Sequence, residues 1–291
     1  MSGALIVCIT LQIGAGLLDF GSRLFAWWLV PPGPLAETLG GSLRRLDRPV
    51  IAILLGSAAA WLAVQTGNLD DSWSAAGDPT RLAAVVTGTT FGAWWAIHLL
   101  TLASLAATIV LGAWPGLRLA ASTLVLSSLA FTGHSSLHGG VVWAVHIWLA
   151  VTHLLAVGAW LGGLVPLLLV MRRMTAPDEQ SDAAAVLRRF SRLGHAIVAA
   201  AVTSGAALSG LVVDGRPFEA SPAYLTILLA KASVAALMIG LALVNRYALV
   251  PRLAAAPSAR VWLVRLTVCN VALGALALIL ASDLGRTDPA P

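Results

Sequence analysis

An all-α bundle of about eight membrane-spanning helices is the fold this sequence predicts. Three observations carry that expectation. Hydrophobic residues make up 58% of the 291 and charged residues only 11%, where a soluble domain carries roughly a quarter charged. The apolar residues fall into eight stretches, each able to cross the ~30 Å hydrocarbon core at ~1.5 Å per residue. Proline and glycine cut sharply between them, and no connection exceeds about 18 residues, which excludes an extramembrane catalytic domain.

The first stretch covers 4–30 and ends at Pro31-Pro32-Gly33-Pro34. It lacks a positive leading region, contains Asp19 and runs on to Val30, so it reads as a first span and not as a cleaved signal peptide. The second covers 49–66 and the third 84–112. Pro115-Gly116 separates the third from the fourth, 117–132. The fifth, 141–171, is longer than a bilayer needs, so tilt or a bend is expected there. The last three cover 190–213, 222–246 and 260–282, with Pro222 and Pro257 at their flanks. The halves share no motif, so an inverted repeat is not supported. The chain reads as one integral membrane domain, 1–291.

Arginine sets the expected orientation. Thirteen arginines (23, 44, 45, 48, 118, 172, 173, 188, 189, 192, 246, 252 and 260) fall on one side, against Arg81, Arg216 and Arg286 on the other. The positive-inside bias places both termini outside, on the periplasmic side of a bacterial inner membrane. The net charge of +5 carries no basic run with interleaved aromatics, so nucleic acid is excluded as a partner and the lipid bilayer takes its place. The outer connections hold Asp70, Asp71, Asp78, Asp214 and Glu219, which suit cation capture or an ordinary solvated loop. Cys8 and Cys269 lie inside apolar stretches with no CxxC spacing, and read as small apolar residues.

Chemistry concentrates between Gly133 and Leu167, where four of the six histidines lie. His134 and His138 are four apart in the outer connection, a chelating spacing if helical, beside glycines that favour a turn equally. His146 and His153 are seven apart inside the fifth stretch, so they share a helical face with a rise of about 10.5 Å. Two ligands of one ion bind within about 2 Å each, so these two are separate rungs completed from other helices. A histidine bonded to a neighbouring helix is the plain structural alternative. His98, in the third stretch at comparable depth, is a candidate third ligand or a packing residue. Trp160 continues the stripe, Gly162 and Gly163 permit close helix approach, and Pro166 permits a kink. Met171, eighteen residues past His153, falls on the same face; its thioether suits copper or plain packing. Lys231 and Asp19 are intramembrane charges that need partners. Arg23, four residues after Asp19, forms a local pair with it, while Lys231 tunes the site or anchors helices.

These residues resemble the CopD family of bacterial copper-resistance and copper-import membrane proteins. The likeness rests on Gly133-His134, on His153 with Trp160-Leu161-Gly162-Gly163-Leu164, on Arg189-Phe190-Ser191, and on Lys231 with Asn245-Arg246 and Pro251-Arg252-Leu253. It is most specific over 132–253, within a CopD-like core of about 84–282. It implies a multi-pass inner-membrane protein moving copper from periplasm toward cytoplasm, served by a periplasmic copper-binding protein and performing no chemical reaction. His134, His153 and the tryptophan-glycine segment are the positions carried over. With four methionines in the whole chain, a methionine ladder for Cu(I) is absent, and imidazole coordination suits Cu(II) or Cu(I). Two other functions compete. A membrane b-type cytochrome would hold haem between histidines of two helices, and a delivery factor would pass copper sideways to an assembling oxidase.

Overall fold

The computed structural model describes residues 2–132, 139–213, 220–253 and 257–289. Their regular structure is entirely helical. The helices are α1 Ser2–Leu29, α2 Pro34–Leu69, α3 Pro79–Gly88, α4 Thr90–Val110, α5 Pro115–Ser128, α6 Gly140–Val157, α7 Gly163–Arg173, α8 Gln180–Val212, α9 Pro222–Val244 and α10 Pro257–Leu284. Seven helical stretches are long and apolar enough to cross a membrane, and the shorter apolar helix Pro115–Phe131 accompanies them. Together they account for the eight expected stretches.

Proline opens α2, α3, α5 and α9 at a position whose N–H would lack an intrahelical acceptor anyway. Side-chain caps complete three starts, from Asp78 to the Thr80 N–H, from Thr89 to the Gly92 N–H, and from Ser221 to the Tyr224 N–H. The third expected span is in fact two helices. Thr89 takes an extended conformation, and α4 then restarts against the end of α3 so closely that a Cβ on Gly92 would lie 2.1 Å from the Val85 carbonyl oxygen. The second begins fifteen residues earlier than expected, because α2 runs unbroken from Pro34 through Pro49.

Both chain ends meet at one end of the bundle. Arg286 donates to the Ser2 carbonyl at 2.8 Å, and Ser221 bonds the Asp288 and Pro289 carbonyls. The connections 30–33, 111–114 and 174–179 lie at the opposite end. The acidic residues of the termini end are partly committed: Asp78 caps α3, and Asp70 pairs with Arg81 at 3.2 Å. Asp214 and Glu219 lie outside the described residues.

α1 is the hub. Its first half joins a core with α2, α4 and α5, in which Trp61, Phe91 and Trp95 pack ring on ring. Phe25 and Leu29, near its far end, join a second core built by the start of α2 and by α7 to α10. The crossing with the fifth span is made by glycines. A Cβ on Gly21 would lie 2.2 Å from the Gly158 carbonyl oxygen, and one on Gly162 would lie 1.9 Å from that of Leu17. No side chain fits, so small residues set the helix separation. Between α6 and α7, Gly158–Gly162 forms a π turn that inserts a residue into the helical register. Gly162→Ala should therefore lower stability by about 1–3 kcal/mol, against the usual helix preference for alanine. Thermal unfolding in detergent reads this, with Gly3→Ala, which meets nothing within 4 Å, as the neutral control.

A buried charge knot fastens α1, α2 and α5. Arg23 donates to both Asp19 oxygens and to Asp47, Arg118 reaches Asp47 at 3.7 Å, and Ser122 donates to Asp19 at 2.6 Å. The expected local pair of Asp19 and Arg23 is present, within a wider network.

Candidate metal site

α6 is mostly apolar; Thr152 bonds back to the Trp148 carbonyl of its own helix, while a buried imidazole must find its partner on another helix. His146 and His153 stand two turns apart on this unbroken helix. His146 is buried, at 6% exposure, and Trp143 one turn earlier lines a cavity of about 710 Å³ at the termini end. Gln65, Asn68, Thr132 and Arg286 give that cavity its polar surface, and Trp61, Trp94 and Phe131 much of its aromatic wall. It lies beside the first turn of α6, the helix that carries His146 and His153. His134 and His138 lie outside the described residues.

His153 is half-buried and faces α8. Its Nδ1–H donates to the Ala201 carbonyl at 2.9 Å, with the Ser204 hydroxyl 3.3 Å away. Ser204 itself donates to the Ala200 carbonyl. Gly205 makes room for the ring, since a Cβ there would lie 2.8 Å from His153 Cε1. A backbone carbonyl that takes the Nδ1 proton leaves the Nε2 lone pair as the ring's free acceptor, the orientation metal-binding imidazoles use. Lys231 is the tenth residue of α9, an intramembrane amine. An ammonium does not ligate a metal while charged, and it opposes a second positive charge nearby.

His98 is arranged differently. It is fully buried against Trp95, with ring centroids 4.8 Å apart. Gln12 of α1 lies 2.8 Å from Nε2, and Ser128 of α5 lies 2.7 Å from Nδ1. Ser57 donates to the Gln12 oxygen and Ser128 to the Val125 carbonyl, so the amide N–H points at Nε2 and the Nδ1–H at Ser128. Both nitrogens are thus engaged, and the network ties α1, α2, α4 and α5 together. It does not join His98 to His153.

The π turn also changes where the rest of the stripe points. Trp160 and Met171 line a second cavity bounded by α7, α8, α9 and α10, which His153 does not line. Gly162 meets α1, and Gly163 meets the Phe190 ring of α8. Among the described residues, no three His, Cys, Asp or Glu side chains converge as a ligand set. Sequence pattern singles out ionisable groups and passes over the uncharged partners, Gln12, Ser57, Ser128 and Ser204. The only signal these residues carry is that they are polar atoms within apolar helices.

Residues 1–145 match the family model for the copper resistance protein D-like N-terminal domain, and residues 184–284 match that for copper resistance protein D. The chain is 32% identical over 279 residues to the inner membrane protein YebZ of Escherichia coli K12, covering 94% of each protein. It is 32% identical over 180 residues to copper resistance protein D of Pseudomonas syringae pv. tomato, covering 57% of this chain and 56% of that protein. No solved structure matches.

Proposed function

Because the chain belongs to the copper resistance protein D family of multi-pass inner-membrane proteins, we propose that it is a copper permease of the import and tolerance type. It takes copper from the periplasmic side without catalysing a reaction. The observation that supports this most is the His153 ring, held through Nδ1 by the Ala201 carbonyl with Nε2 left to accept. The likeness to a protein named for copper resistance supplies the choice of metal.

In this reading the termini end faces the periplasm. A periplasmic copper-binding protein delivers the ion to His134 and His138, the cavity beside Trp143 admits it, and His146 and His153 are successive rungs. Imidazole suits Cu(II) and Cu(I) alike. Copper is cargo here, so each rung should bind it weakly enough for release to the next.

The test is copper entry into sealed vesicles made with the purified protein, together with metal analysis and an absorption spectrum of the same preparation. Transport predicts copper accumulation above protein-free vesicles and no Soret band. Bound copper without accumulation would replace transport with sideways delivery, and a Soret band would replace copper handling with haem.

A further inference from the structure

The cavity of about 370 Å³ below the π turn is bounded by α7, α8, α9 and α10, with walls that include Trp160, Leu164, Phe190, Val198 and Ile239. Its size falls in the ordinary range for small-molecule sites, which are mostly apolar with a few placed polar groups. Ser191, His195, Arg246 and Thr267 line it, each hydrogen-bonded to a neighbour, and two amides line it as well. Asn270 of α10 is 2% exposed, and Asn245 opens the π turn Asn245–Leu249 after α9. Both line the cavity, and the Oδ1 of each is buried with no hydrogen-bond partner among the described residues. Such atoms are costly in a membrane interior, where no bulk water reaches them.

Three features narrow the occupant. The first is entry. Among the described residues α8 and α9 share no sustained packing, and Val202 and Leu243, which line the cavity, are 46% and 44% exposed. The mouth therefore opens sideways onto hydrocarbon, and the ligand comes from the bilayer. The second is depth. Asn270 lies at the midpoint of the 28-residue α10, about 20 Å from either helix end, too deep for a phospholipid headgroup held at the interface. The third is charge. Arg246 closes one end, donating to the Ser191 carbonyl and hydroxyl, so a free cation is disfavoured there.

We propose that this cavity binds a bilayer-dissolved quinone or quinol. Its ring lies against the Trp160 and Phe190 side of the cavity, and its oxygens meet the two amides. A primary amide both donates and accepts. Turned one way it gives N–H to a ring carbonyl, and turned the other it accepts from a ring hydroxyl, so one pair of asparagines serves both redox states. The proposal does not rest on the copper reading: Trp160 and Met171 line this cavity, but His153, the ring on which that reading turns, does not.

The experiment titrates decylubiquinone into the full-length protein in quinone-free nanodiscs and follows tryptophan quenching. Saturable quenching is expected, with its amplitude lost in Trp160→Phe. Affinity should fall roughly tenfold for each amide removed, in Asn270→Leu and Asn245→Leu. Val202→Trp, which blocks the mouth and touches neither amide, should also abolish saturable binding and guards against misfolding of the asparagine variants. His153→Asn should bind like the parent protein. Non-saturable quenching by the folded parent protein would overturn the proposal. So would unchanged affinity in both the Asn270→Leu and Val202→Trp proteins, or displacement of the quinone by water-soluble copper alone.

Discussion

On the proposed copper path, the His153→Ala protein should bind added copper at least about tenfold more weakly than the parent protein. Losing an outer-shell partner of a metal-bound histidine already costs about 10–100-fold in affinity, so loss of the ligand itself should cost at least that. His153→Asn is the sharper version, because its amide keeps a donor for the Ala201 carbonyl while the Nε2 lone pair disappears. Gly205→Ala should weaken binding without touching the ligand, since the added Cβ meets His153 Cε1 at 2.8 Å and must displace the ring. Copper and a proton compete for the same lone pair, so binding should weaken as pH falls through the range where imidazole protonates. His98→Ala is the contrast: both its ring nitrogens are engaged, so stability should suffer while copper content holds. Metal analysis of the four purified variants decides the matter. Parent-like copper in the His153→Asn protein would remove His153 from the path.

Asp19→Ala should lower stability by about 3–5 kcal/mol, the usual consequence of removing one partner from a buried ion pair. The knot holds two aspartates and two arginines, so it is neutral as a unit. Removing Asp19 leaves Arg23 and Arg118 to share Asp47, with one uncompensated positive charge among helices of low polarity. It also strands the Ser122 hydroxyl, which donates to Asp19 at 2.6 Å. Asp19→Asn keeps an acceptor for Ser122 and loses only the charge, so it should fall between parent and alanine. Unfolding in detergent followed by helical circular dichroism reads the series. An alanine variant as stable as the parent protein would mean that the three helices are held by packing alone.

Most of the fold was legible in one dimension, as α1 shows. Its composition marks a span, Asp19 and Arg23 lie four residues apart and pair as that spacing implies, and the proline run ends the helix. The misread places are those where neighbours decided. The split at Thr89 depends on α3 folding back against Gly92. The long α2 continues through Pro49, although proline usually argues for a boundary. The stripe from His153 to Trp160 and Met171 assumed an unbroken α period, and the π turn adds a residue between them.

The histidines divide along the same line. Seven-residue spacing places His146 and His153 on one face of one helix, which is a property of the chain alone. That His98 is closed at both nitrogens while His153 keeps one open depends on Gln12, Ser128 and Ala201, residues far away in sequence.

Sequence alone determined which stretches are apolar enough to cross a membrane, the crowding of arginine into alternate connections and the presence of imidazole where only apolar groups belong. In lipid each helix must satisfy its own backbone, so those properties are local and can be counted along the chain. Only the tertiary structure decided which ring nitrogen stays open, which glycines set the helix spacing and where two amides face an empty space. Each of these depends on the distance to an atom of another helix, and such distances exist only once the bundle has closed.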